Sequence, residues 1–85
     1  MWIPPEDHKA VGRILSQARK DRGVTQVEMA RRLGKPQSFV SSYEAGQRRV
    51  DVLELLRIAQ ALELSAEDLF SAMAAATAEK LPSLG

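Results

Sequence analysis

The run TQVEMARRLGKPQSFVSSYEAGQ, residues 25–47, leaves this chain little choice of fold. It holds two short helical patterns on either side of Gly34-Lys35-Pro36. The first opens with Thr25-Gln26-Val27-Glu28, the spacing of a capping box. In such a box a Thr hydroxyl and a Glu three residues on satisfy each other's backbone N–H groups. Gly34 supplies the permissive backbone on which a helix of this kind ends. Pro36 pre-sets φ for the first turn of the next helix, where its missing N–H costs nothing. That next helix begins polar, with Gln37 and Ser38, and has Val40 and Tyr43 to anchor it from below.

Other helical patterns flank this core on both sides. Trp2 and Ile3 precede a Pro-Pro pair that is expected to stop any helix there. Asp7 is the candidate cap of a first helix over about residues 8–21, with Val11, Ile14, Leu15 and Ala18 at helical spacing and Gly23 as its stop. The second and third helices are expected over about 26–33 and 36–44, and Ala45-Gly46 marks the end of the third. Asp51 opens a fourth, on which Val52, Leu55, Leu56, Ala59 and Leu62 are expected to form one apolar face. Ser65-Ala66-Glu67-Asp68 resembles a second capping box and launches a fifth helix with Leu69, Phe70 and Met73. The Ala-rich stretch 72–78 prolongs it until Pro82. No strand pattern, repeat or interdomain linker interrupts this order, so the chain reads as all-α with five helices. The expected division is an arm at 1–7, one domain at 8–78 and a tail at 79–85.

Composition narrows the function. Eighty-five residues without cysteine make one small domain that relies on neither disulfides nor zinc-thiolate chemistry. His8, the only histidine, has no partner type with which to bind a metal, and no cofactor is expected. No apolar run approaches the ~18 residues needed to span a membrane. Glu6 and Asp7 stand where a signal peptide would be basic, so a cytoplasmic protein is expected. The net charge of +1 hides a division. Between Lys9 and Arg57 there are eleven Lys/Arg against five Asp/Glu, while the remainder holds Lys80 against six acids. Such asymmetry suits a basic surface facing nucleic acid, with an acidic face turned elsewhere.

A short helix, a sharp turn and a helix with a polar leading end form the helix-turn-helix layout, whose second helix enters a DNA major groove. On its particular residues the chain resembles the Xre/Cro family of phage-repressor-like regulators over about residues 11–70. Arg19, Arg22-Gly23, Thr25-Gln26, Ala30, Leu33-Gly34, Gln37-Ser38, Tyr43-Glu44 and Gly46 carry the resemblance. Leu55-Leu56, Ala59, Ala61-Leu62 and Leu69-Phe70 extend it. It implies a compact five-helix domain like that of lambda repressor, dimeric and bound to a near-palindromic operator.

The resemblance and the chemistry together nominate contact residues. Gln26 resembles the family glutamine that holds a phosphate at the first turn of the second helix, and helix N-termini favour anions. Gln37 leads the third helix, and a glutamine amide can bond adenine N6 and N7 together. Ser38 and Ser42 are small enough to let that helix approach base edges. Phe39 departs from the family's usual small polar residue; it either packs inward or meets thymine methyl groups. Lys35, Ser41, Arg48 and Arg49 are the further phosphate candidates. Arg19 and Glu44 match a family pair that joins the first helix to the end of the third, where an Arg fork on a carboxylate is directional. Leu69, Phe70 and Met73 are candidate dimer contacts, with coverage inside the monomer as the alternative.

Two functions are therefore carried forward. One is a sequence-specific regulator of transcription, a repressor, acting as a homodimer on double-stranded DNA. The other is an antitoxin or controller type, whose DNA binding is coupled to capture of a second protein by the C-terminal part or the Trp2 arm. An enzyme is not expected, because no nucleophile with a base, metal set or phosphate cradle stands out.

Overall fold

The computed structural model describes residues 3–77; Trp2 and residues 78–85, with the expectations placed on them, lie outside it. Five helices follow one another: α1 Pro5–Asp21, α2 Gln26–Leu33, α3 Gln37–Glu44, α4 Val52–Ala61 and α5 Ala66–Thr77. The expected all-α, lambda-repressor-like fold is what forms. Helix α1 packs on α3 and α5, α2 packs on α3 and α4, and α4 packs on α5. Tyr43, Leu15, Met29, Ile58, Leu62 and Val40 are the largest side chains fully enclosed between them.

Local chemistry explains the boundaries. Thr25 caps α2 by accepting from the Glu28 N–H at 3.1 Å. The reciprocal half of the expected box is not made, because the Glu28 carboxylate binds Arg31 and Arg32 instead. A complete box forms at α4. There Asp51 accepts from the Glu54 N–H at 2.8 Å, and Glu54 accepts from the Asp51 N–H at 3.0 Å. Ser65 accepts from the Asp68 N–H at 3.3 Å at the start of α5.

The ends of α1, α2, α3 and α4 share one device. Val24, Lys35, Gln47 and Leu64 each donate back to the carbonyl five residues earlier, at 2.9–3.1 Å, across a residue in the left-handed region. This is the Schellman closure, which satisfies carbonyls that a helix end would otherwise leave open. Gly34, at φ 65°, provides it at the turn between α2 and α3. Two arginines close α4 further: Arg22 Nε donates to the Leu62 carbonyl at 2.9 Å and Arg32 Nη1 to the Ala61 carbonyl at 2.7 Å. Both bring positive charge to the negative end of a helix that has no basic residue in its own last turn.

Four further expectations change. The Pro-Pro pair does not block α1 but begins it: Pro4 is the N-cap and Pro5 the first helical residue, where proline fits. Asp7 is therefore inside the helix and buried, not its cap. Pro36 likewise stands one residue earlier than expected, as the N-cap of α3. On α4 the inward face is Leu55, Ile58, Ala59 and Leu62, whereas Val52 and Leu56 are 73% and 43% exposed.

Close approach of α1 to α3 depends on Gly12. A Cβ there would stand 2.4 Å from the Glu44 carbonyl oxygen and 2.5 Å from that of Tyr43. Any larger residue must push the two helices apart. This contact fixes α3 on the body of the domain.

Candidate nucleic-acid interface

Helix α3 is eight residues long, and its two faces differ sharply. Val40, Tyr43 and Glu44 are buried against the body, and burial pushes the Tyr43 phenol well above its usual pKa. Advancing about 100° per residue places Ser38, Ser42 and Ala45 opposite that buried side, with Gln37 and Ser41 flanking. Gln37, Ser38 and Ala45 are exposed, and Ser41 and Ser42 are half-buried. The outward surface of α3 is thus made of small residues with one longer amide at its leading end. Nothing projects far enough to hold the helix backbone off an opposing surface.

The start of α3 carries unused donors. Pro36 offers no side-chain cap. The first N–H groups of an α-helix have no acceptor inside it, so those of Gln37 and Ser38 point outward with the positive end of the helix dipole. The same holds for Gln26 and Val27 at the start of α2, where Thr25 takes only the Glu28 N–H. Gln37 Nε2 donates to Gln26 Oε1 at 3.4 Å, which brings the two helix starts side by side.

Behind these glutamines lies a buried ionic cluster. Arg19 donates through Nε to Glu44 Oε2 at 2.7 Å and through Nη2 to Oε1 at 3.0 Å. Its Nη1 donates to the Val24 carbonyl at 2.7 Å. Gln26 Nε2 adds a 3.0 Å bond to Glu44 Oε1. Burial pushes the Glu44 carboxyl up, but the Arg19 fork and the Gln26 amide outweigh it and hold the group below the usual range. Glu44 in turn raises the Arg19 pKa through the same bonds. Arg19, Glu44, Gln26 and Gln37 therefore form one hydrogen-bonded chain from α1 through the end of α3 to the starts of α2 and α3. A directional fork at its base orients the amides at its outer end.

The remaining candidates divide. Lys35 and Arg49 are exposed and have no ion pair among the described residues. Arg48 is held by Glu54, with Nη2 to Oε2 at 2.6 Å, and its guanidinium carbon stands 4.4 Å from the Phe39 ring centre. Phe39 meets Tyr43 edge-on at 5.6 Å, so packing accounts for its position. Ser41 donates to the Ser38 carbonyl at 3.3 Å. Of the three candidate dimer residues, Leu69 and Met73 are covered inside the monomer and only Phe70, at 64% exposure, is outside. Sequence reading passed over the apolar band that Phe70 shares with Val52 and Leu56. It also passed over Glu54, although Asp51-x-x-Glu54 has capping-box spacing.

Among the described residues no helix is long and apolar enough to cross a membrane. A helix-turn-helix family model matches residues 15–69. The chain is 40% identical over 57 residues to y4dJ of Sinorhizobium fredii, described as an uncharacterized HTH-type transcriptional regulator; the match covers 67% of this chain and 74% of the relative. It is similar in structure to the restriction-modification controller protein C.AhdI from Aeromonas hydrophila. There the TM-score is 0.71 and the identity 32%, over 76% of this chain and 98% of that one. It is also similar to an XRE-family like protein from Pseudomonas syringae, with a TM-score of 0.74 and 39% identity over 85% and 88% of the two chains.

Proposed function

The chain belongs to the Xre family of helix-turn-helix transcriptional regulators, a family of DNA-binding proteins rather than enzymes, and from that premise we propose that it is a homodimeric repressor. It reads an inverted-repeat operator in the cytoplasm by placing α3 in the major groove. The observation that carries this reading is the outward face of α3, small throughout except for Gln37 at its leading end. A helix so faced can lie deep enough for Gln37 to bond an adenine edge while Ser38 and Ser42 approach neighbouring bases. The Gln26 start of α2, together with Lys35, Ser41 and Arg49, supplies phosphate contacts that set register without reading sequence.

The dimer contact falls to the exposed Phe70, Val52 and Leu56 rather than to Leu69 and Met73, which the core already uses. Two copies joined there would present their recognition helices to half-sites about one turn, ~34 Å, apart. Replacing Gln37 with alanine is expected to cost ~1–3 kcal/mol at the operator and to relax preference at one base position. Unchanged affinity and preference in a titration of operator variants would refute the assignment. A controller role is the second reading, favoured by likeness to a restriction-modification controller over 98% of that protein's length. A basic protein co-purifying with the chain would instead support the antitoxin form of the alternative.

A further inference from the structure

Arg48 and Arg49 are neighbours of identical chemistry with different surroundings. Arg48, although exposed, commits its guanidinium to partners in its own chain: Nη1 donates to Glu54 Oε1 at 2.9 Å and to the Arg49 carbonyl at 2.7 Å, and Nη2 donates to Glu54 Oε2 at 2.6 Å. The plane of the cation covers Phe39 of α3. Glu54 belongs to the box that starts α4, where it also accepts from the Asp51 N–H. One side chain thus touches α3, the loop after it and the first turn of α4. A two-pronged Arg–carboxylate pair fixes direction as well as distance, and a guanidinium stacks on an aromatic face as an ammonium cannot. The Arg48 charge is also matched by Glu54, which makes it a weaker attractor for phosphate than the unpaired Arg49.

We propose that Arg48 is a positioning residue for DNA recognition and not a phosphate ligand. Through Glu54 and Phe39 it sets the angle of α3 against the start of α4, so readout by α3 depends on groups that never meet DNA. The start of α4 also carries Val52 and Leu56, which places the clamp between the recognition helix and the apolar band assigned to the second subunit. The proposal rests on α3 being the reading helix, and the test separates the two ideas.

Affinity for a selected duplex is measured across salt concentrations for the wild type, Arg48→Ala, Arg48→Lys, Glu54→Gln, Arg49→Ala and the Arg48→Ala, Glu54→Gln double variant. Each change at Arg48 or Glu54 is expected to weaken binding several-fold to about tenfold, and the double variant no more than either single. Arg48→Lys fails to rescue, because an ammonium lacks the fork. Arg48→Ala leaves the salt slope intact, whereas Arg49→Ala lowers it by about one. A phosphate-binding Arg48 gives the reverse: Glu54→Gln strengthens binding by removing a competing anion, Lys restores it, and Arg48→Ala lowers the slope. That pattern overturns the proposal. A chain that selects no duplex would sink the reading of α3, and the clamp is then decided by the same cycle on urea unfolding. Coupled losses uphold it and additive losses overturn it.

Discussion

Replacing Glu44 with leucine removes the acceptor on which the ionic cluster converges. Arg19 would retain only the Val24 carbonyl, and Gln26 would lose its 3.0 Å acceptor. The side chains of Arg19 and Glu44 are 9% and 5% exposed, so water cannot replace the lost partner. Breaking a buried ion pair from one side costs ~3–5 kcal/mol, because a charge stays buried without compensation. A domain of 85 residues has a total stability of only ~4–13 kcal/mol at ~0.05–0.15 kcal/mol per residue. The midpoint of thermal unfolding is thus expected to fall on the order of 10–40 °C. Arg19→Met is expected to cost a similar amount, but the double change Arg19→Met, Glu44→Leu much less than the sum, since a packed apolar pair has no unmatched charge. Urea unfolding followed by circular dichroism gives all three values. DNA affinity is expected to stay low in the double variant, because Gln26 remains without its anchor. Single-variant losses under ~1 kcal/mol, as for an exposed pair, would refute the role given to this cluster.

Other perturbations probe different links. Gly12→Ala is expected to cost ~3 kcal/mol or more through overpacking of α1 on backbone atoms of α3, while Gly34→Ala costs ~1–2 kcal/mol. The second figure is smaller because only a left-handed backbone is strained and nothing lies within 4 Å of the added Cβ. Equal losses in urea unfolding would contradict the tight α1–α3 contact. Glu44 and Glu54 have lowered pKa values and Glu28 is held at about 2, so their stabilisation is complete above the ordinary carboxylate range. It is lost as pH falls through the folded values, giving stability that is level above about pH 5 and declines toward pH 2. Glu44→Gln should flatten that decline, and an unchanged acid profile would count against the cluster. Val52→Ser with Leu56→Ser should shift sedimentation toward monomer with little change in monomer stability, as both side chains are exposed. An unaltered mass would place the subunit contact elsewhere.

Much of the fold is legible because its punctuation is chemical. Thr25, Gly34, Gly46, Asp51 and Ser65 each begin or end a helix for a local reason that a sequence displays. What escaped depends on tertiary context. Pro4-Pro5 reads as a barrier or as a first turn, because the fixed φ of proline suits both. The α4 stretch Val52-Leu53-Glu54-Leu55-Leu56 is apolar on more than one side, so periodicity alone cannot choose the inward face. Two consecutive arginines look alike until Glu54, six residues beyond Arg48, claims one of them. The Arg19–Glu44 contact was reachable by resemblance, but its extension through Gln26 to Gln37 required coordinates, since the four residues come from three separate helices.

The most direct test of base reading by α3 is selection of bound sequences from a random duplex pool at about 0.15 M salt, where nonspecific phosphate binding is restrained. An enriched inverted repeat with half-sites about one helical turn apart, whose preference relaxes at one position in Gln37→Ala, is the expected result. A pool that stays random after repeated rounds, with a well-folded protein, would contradict it.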